Sequence, residues 1–405
     1  MELKIDLSQE YALCLEGGGA KGAYQIGAWH ALKEAGMKIS AVAGTSVGAL
    51  NAALICMGDL EKAEDIWSHI SHSKVMEVEQ AEADRLFSSE GTLLEWIHAV
   101  LKYTAEGGAD ITPLKELIAD SIDEEKIKSG DIAFFLHTFS LTDKKELDVD
   151  VKELEPGLLP DFLLASAYLP VFKKEKLHGK SYMDPGMFNN VPLDSLIKRN
   201  YQNIIILRLF GLGRYKLVEI PEGVEVHSIE PRVPLGNMLN FNSRQSMKNL
   251  RTGYFDAKRY LYGFAGKMYY IDESEKECYY VRRLSDIKEE VMEYVNEVYA
   301  SKAEESVYRT YFEHTLGQIA EELKLKSYTY KDLYLSMLER AAKLLRVPRY
   351  HIYTVEELLE VIRERLGEKE MPGAFMAIVL NELPAKTVAT ESVSIAGIID
   401  QEDER

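Results

Sequence analysis

Residues 11–15 form a short apolar run that stops at Gly17, Gly18 and Gly19, a pattern that predicts a buried strand entering a tight loop. Small and aromatic residues then recur at helical spacing, as Ala20, Tyr24, Gly27, Ala28, Ala31 and Ala35. They predict a helix packed closely on a sheet and ended by Gly36. The pattern repeats at once: residues 39–43 predict a second strand, 44–48 a turn, and 49–57 a second helix that stops at Gly58. Two strand-loop-helix units in succession imply parallel strands joined by right-handed crossovers. Residues 132–141 and 203–209 predict further strands, the latter almost continuously apolar, as expected of a strand covered on both faces. The stretch between the first helices and residue 132 reads as mostly helical and polar. The expected fold class is α/β, a three-layer α/β/α arrangement with a mainly parallel central sheet.

The character of the chain changes past Gly263. Residues 267–271 and 278–283, separated by the acidic stretch 272–277, predict a hairpin. Charged, amphipathic segments at 286–299, 304–323, 331–345 and 355–366 predict helices, with Pro348 and Pro372 as punctuation. Three regions are therefore expected: an α/β domain over residues 10–265, a mainly helical domain over 266–385, and a loosely held acidic tail over 386–405.

Composition removes several function classes. No stretch is apolar for long enough to span a membrane, and the acidic first ten residues do not predict a secretory signal, so a cytoplasmic location is expected. Cys14, Cys56 and Cys278 are far apart and without Cys-x-x-Cys spacing, which argues against a disulfide framework or a zinc site. Neither a metal nor another cofactor is expected. A net charge of -18 repels phosphate backbones and anionic bilayers alike, so no nucleic-acid partner is expected and any lipid contact should be mainly hydrophobic. The lysines at 173, 174, 176 and 180 read as a solvated turn.

Chemistry concentrates at Gly44-Thr45-Ser46-Val47-Gly48, which falls where a strand passes into a helix. A side chain at 44 or 48 would collide with the neighbouring chain, so the glycines let Ser46 stand at the strand end with its hydroxyl exposed. The following helix directs free N–H groups and its positive end at the same point. Ser46 is thereby placed as a nucleophile, with the N–H groups of Gly17, Gly18, Gly19 and Val47 as donors to an oxyanion. Without that context Ser46 is simply a helix N-cap between glycines. The spacing Gly17-x-Gly19-x-x-Gly22 also matches a dinucleotide fingerprint, but the second predicted strand ends without the carboxylate a ribose requires. His227, downstream of Asp184, completes the chain order of a Ser-Asp-His triad; its setting in 224–228 reads instead as a strand with a half-buried histidine.

The segment Leu15-Glu16-Gly17-Gly18-Gly19-Ala20-Lys21-Gly22, then Gly44 to Gly48, then Tyr182-Met183-Asp184-Pro185-Gly186 with Asn189-Asn190-Val191-Pro192 behind it, resembles the patatin-like phospholipases. The likeness covers roughly residues 11–262. It implies a Ser46 nucleophile served by Asp184 as general base and acid, with no histidine, and Lys21, Gly22, Gly44, Gly48 and Gly186 as supports of the motifs. It further implies hydrolysis of acyl esters of (lyso)phospholipids or related lipids through a covalent acyl-enzyme, with transient peripheral membrane contact. The family's usual Asp-Gly-Gly or Asp-Gly-Ala is here Asp184-Pro185-Gly186. Proline fixes its own φ and biases Asp184 towards an extended backbone, so a locally different loop is expected. Two other readings remain open at this point: a lipid- or partner-binding protein on the same scaffold, catalytically impaired at Pro185, and a C-terminal domain that docks a partner.

Overall fold

The computed structural model describes residues 2–77, 107–173, 175–299, 306–367, 369 and 371–384; the expected tail at 386–405 lies outside them. The chain divides into two compact units, Met1–Phe264 and Ala265–Arg405.

The first unit is built on β1 (Glu10–Leu15), β2 (Lys38–Thr45), β3 (Ala133–Ser140), β4 (Lys145–Asp150), β5 (Tyr182–Met183), β6 (Asn203–Leu207) and β7 (Glu225–Ile229), in the order β4-β3-β2-β1-β6-β7, with β5 also on β3. The pairs β1–β2, β1–β6, β2–β3 and β6–β7 are parallel; only β4 and β5 meet β3 antiparallel. Alternation along β1 sends Leu13 and Leu15 into one core, and Ala12 and Cys14 into a second on the other sheet face with Phe135, Leu196 and Ile206. Both faces are thus covered, as parallel strands require.

Two helices follow the first two strands, α1 (Ala23–Glu34) and α2 (Val47–Met57). The second begins two residues earlier than the apolar pattern indicates, because the turn at Ser46 hands directly into it. The small-residue stripe of α1 meets another helix, α8 (Ser243–Tyr262), rather than the sheet. A Cβ on Gly27 would lie 1.9 Å from the Leu250 carbonyl oxygen, and one on Gly253 1.9 Å from that of Tyr24, so the helices cross with backbones touching. That partner is supplied from the far end of the unit. Between them run α3 (Leu60–Ser68), α4 (Thr112–Ser121), α5 (Glu124–Ser129), α6 (Leu159–Ser166) and α7 (Leu193–Lys198).

The second unit is mainly helical around its own core of Tyr280, Leu284, Val291, Leu338 and Leu358. The hairpin expected at its start does not form. Tyr270–Ile271 pairs in parallel with Ile352–Tyr353, and Glu277–Ser285 is a helix. The reason is the spacing of its buried residues, Tyr280 and Leu284, four apart, with Glu277 in the first turn and Arg282 and Arg283 in the last, all in agreement with a helix and its dipole. Two of its helices start at capping boxes, Thr329 with Asp332 and Thr354 with Glu357.

Candidate active site

Leu15 lies opposite Gly44 in parallel strands, so the loops leaving β1 and β2 emerge side by side at the carboxyl edge of the sheet. Ser46 occupies the second loop with φ 56° and ψ -127°, a conformation that costs a side-chain-bearing residue about 1–3 kcal/mol. Close packing enforces it. A Cβ on Gly44 would come within 2.4 Å of the Gly48 carbonyl oxygen, and one on Gly48 within 2.4 Å of the Leu15 carbonyl oxygen. The Ser46 N–H donates to Ser166 Oγ (2.9 Å), whose hydroxyl donates to the His137 carbonyl (2.6 Å). The residue is 6% exposed.

Asp184 arrives from the turn after β5. Its N–H donates to the Tyr168 carbonyl (2.9 Å), and its Oδ1 accepts the Gly186 N–H (2.8 Å). The residue after it, Pro185, sits at the first position of a short 3-10 turn, where a fixed φ and a missing N–H are tolerated, and neither Pro185 nor Gly186 adopts positive φ. Pro185 is therefore compatible with a carboxyl directed at the site. Burial pushes the Asp184 pKa up from 3.8 to about 6, opposed by hydrogen bonding from the Ser46 side chain and the Gly186 N–H.

The glycine loop is held by a residue that the sequence reading missed. Glu16 is wholly buried and its carboxylate accepts six hydrogen bonds. Arg208 Nε (2.9 Å) and the N–H groups of Leu209 (2.8 Å) and Phe210 (3.2 Å) donate to Oε2. The Gly211 N–H (3.0 Å), Tyr215 hydroxyl (2.9 Å) and Asn190 Nδ2 (3.3 Å) donate to Oε1. The one sequence signal was a carboxylate at the end of an otherwise apolar strand. Lys21 reinforces the same join, its ammonium donating to the carbonyls of Phe210 (3.0 Å) and Leu209 (3.4 Å); burial lowers its pKa.

Not every expected donor is available. The Gly17 N–H already donates to the Asn190 carbonyl (3.1 Å), and Asn190 Nδ2 donates back to the Gly17 carbonyl (3.0 Å), so Gly17 anchors the loop instead of facing a ligand. The N–H groups of Gly18, Gly19 and Val47 meet no acceptor among the described residues. Gly22 lets α1 approach α2, since its Cβ would strike Val47 at 2.5 Å.

A pocket containing about 750 Å³ of empty space, its mouth included, opens beside Ser46. Leu50, Leu54, Ile66, Leu114, Ile118 and Phe172 line it, a size and character suited to an apolar small-molecule moiety. Trp67 and Asn51, also in its wall, turn their polar atoms inward: Trp67 Nε1 donates to Asn51 Oδ1 (3.0 Å), and Asn51 Nδ2 to Gly22 O and Gln25 Oε1 (both 2.9 Å).

Among the described residues no histidine ring is hydrogen-bonded to Ser46 or Asp184. His227 is level with Ile205, Leu13 and Val42 on successive strands, hence three strands from β2, a lateral distance of ~14 Å. It lies within β7, as expected, with 43% of its side chain exposed. His137, beside Thr45 on β3, has its ring 3.3 Å from Asp148.

Residues 13–197 match the family model of the patatin-like phospholipases. This segment is a patatin-like phospholipase domain. A probable lipid hydrolase, 463L, of Invertebrate iridescent virus 6 is 27% identical over 196 residues, 46% of this chain and 63% of that protein, so the chain spans a little under two thirds of that relative. Among solved structures the chain is similar to VipD from Legionella pneumophila, at 12% identity and a TM-score of 0.40, covering 92% of this chain and 90% of that one. It is also similar to ExoU in complex with SpcU from the type III secretion system of Pseudomonas aeruginosa, at 14% identity and a TM-score of 0.31, covering 90% and 82%. The patatin-like domain runs from β1 to α7, so β6, β7 and α8, which complete the first unit, lie beyond the matched residues.

Proposed function

We propose that the first unit is a serine lipid acyl hydrolase working through a Ser46–Asp184 dyad. Ser46 Oγ attacks the ester carbonyl carbon while Asp184 takes the hydroxyl proton; the N–H groups of Gly18, Gly19 and Val47 stabilise the oxyanion. Collapse expels the alcohol, which receives the proton from Asp184 and leaves an acyl group on Ser46. Asp184 then accepts a proton from water as that water attacks the acyl carbon, and returns it to Ser46 Oγ as the fatty acid departs.

The observation that carries this reading is a strained serine at the mouth of an apolar pocket, with the buried Asp184 carboxyl near enough for its titration to feel the serine side chain and pushed by burial up to about 6. Exposed aspartate is a weak base. Burial raises it by about two decades, which narrows the gap to a serine hydroxyl while leaving most molecules ionised at pH 7. The pocket suits an acyl chain, which supports (lyso)phospholipids or related lipids as the substrate class. No helix among the described residues is long and apolar enough to cross a membrane; in this reading the chain acts on lipid from the periphery. We assign catalysis to Met1–Phe264 and a separate role to the helical unit.

The test is a hydrolysis screen of the purified chain across phospholipids, lysophospholipids and acylglycerols. Fatty acid release from at least one class, abolished by Ser46→Ala and by Asp184→Asn, supports the proposal. A wild-type chain that releases none from any class, or activity that survives Ser46→Ala, refutes it and leaves a binding role for the scaffold.

A further inference from the structure

Six large apolar side chains stand exposed on two loops of the first unit: Met187 and Phe188 just past the Asp184 turn, and Phe210, Leu212, Tyr215 and Leu217 after β6. Leu217 is 100% exposed, Met187 56% and Leu212 54%. Exposed apolar side chains gathered on neighbouring loops mark a site of contact.

The two loops form one platform. The Arg214 N–H donates to the Gly186 carbonyl (3.0 Å), and the Asn190 N–H to the Arg214 carbonyl (2.9 Å). Gly213 sits where a Cβ would come within 2.3 Å of the Gly186 carbonyl oxygen. From below, the buried Glu16 carboxylate holds the N–H groups of Leu209, Phe210 and Gly211, and Phe188 stacks on Phe139 with ring centroids 4.2 Å apart. The loops are thus fixed in a shape that displays apolar atoms.

Two further features select the occupant. Residues 208–218 carry no carboxylate, and of their three cations Arg208 is paired with Glu16 and Lys216 with Asp194, which leaves the Arg214 guanidinium without a carboxylate partner among the described residues and open to a phosphate group. Tyr215 has its hydroxyl anchored to Glu16 while the side chain is exposed, the mixed apolar and polar presentation that suits a membrane–water boundary.

We infer that this platform seats the protein on a lipid bilayer, with Leu212 and Leu217 entering the apolar layer and Arg214 at the level of the phosphates. The choice of a bilayer rests on the lipid-hydrolase reading. The loops that carry the platform also carry Asp184 and brace the glycine loop, so a bilayer held there brings ester groups next to Ser46.

The experiment floats the full-length Ser46→Ala chain, which leaves lipid intact, with phosphatidylcholine vesicles with and without phosphatidylserine. It compares this parent with Leu212→Asp/Leu217→Asp and with the milder Leu212→Ser/Leu217→Ser. The parent is expected to float with both vesicle types, and each pair to lower the partition coefficient at least tenfold in low and high salt alike. With Ser46 restored, the pairs should hydrolyse a short soluble ester at the wild-type kcat/KM yet lose at least tenfold on vesicle lipid. A parent that stays in the soluble fraction, as it would if the platform seats a protein, overturns the inference, and so do pairs that float as well as the parent. Flotation needs no turnover, so failure of the catalytic reading appears separately, as a chain that floats but does not hydrolyse the soluble ester.

Discussion

Replacing Asp184 by asparagine should abolish activity and at the same time stabilise the first unit, by an amount that depends on pH. The Asp184 pKa is raised from 3.8 in an exposed setting to about 6 in the folded chain. Between those values the native state holds a proton that the unfolded state has lost, so stability falls as pH rises through the window. The carboxyl imposes no penalty below pH 3.8 and its full penalty above about 6. A shift of this size corresponds to about 3 kcal/mol at pH 8 and roughly half that at pH 5. Asparagine keeps the shape and can still accept the Gly186 N–H through Oδ1, but it never ionises. Asp184→Asn is therefore expected to unfold at higher urea at pH 8, with an advantage of up to about 3 kcal/mol that shrinks as pH falls towards 5. Tryptophan fluorescence reads this unit alone, because Trp29, Trp67 and Trp96 all lie before residue 265. An asparagine variant less stable than wild type at pH 8, or one whose advantage is as large at pH 5 as at pH 8, would refute the buried, proton-hungry carboxyl.

The remaining expectations concern the rate and the loop. Fluorophosphonate labelling of Ser46 should rise with pH through about 6, standing at about one tenth of its plateau at pH 5, and His227→Ala should leave both profile and plateau unchanged; a limb lost in that variant would point to a triad. Among soluble p-nitrophenyl esters kcat/KM should climb about fourfold per added methylene, from about 0.8 kcal/mol each, until the pocket is full, whereas a flat series would separate the pocket from the acyl chain. Glu16→Ala leaves Arg208 and several buried N–H groups without their acceptor, so calorimetry should find the first unit weakened by about 3–5 kcal/mol, and an unchanged unfolding transition would contradict the bracing role. A chain ending at Phe264 should still hydrolyse a short ester within a few-fold of the full-length rate; a folded but inactive fragment would tie catalysis to the helical unit.

The sheet was readable where its strands are buried on both faces. Residues 11–15, 39–43, 132–141 and 203–209 are apolar runs because parallel neighbours and covering helices leave no wet side. Strand β4, Lys-Glu-Leu-Asp-Val-Asp at the sheet edge, carries too little apolar pattern to announce itself, and β5 is only two residues long. At 278–283 the tyrosines and valine suggested a strand, yet the four-residue spacing of Tyr280 and Leu284 prevailed once a core existed to receive them. The same split runs through the candidate site. Gly44 and Gly48 advertise the turn because no other residue fits within 2.4 Å of a backbone oxygen, so Ser46 could be singled out from local pattern. Asp184 could not, since it lies 138 positions beyond Ser46 and only the family resemblance joined them. Glu16 stayed hidden for a related reason: its six donors come from residues 190–215, and nothing near it in the chain shows that its charge is buried and satisfied.

The most direct measurement is peptide mass spectrometry on protein acid-quenched within milliseconds of mixing with a chromogenic acyl ester. A mass increase of one acyl group is expected on the peptide containing Ser46, formed and lost at rates that match turnover, with a long-lived adduct in any Asp184→Asn that becomes acylated. Turnover that proceeds with no acyl group ever found on Ser46, or with the acyl group on another side chain, would contradict it.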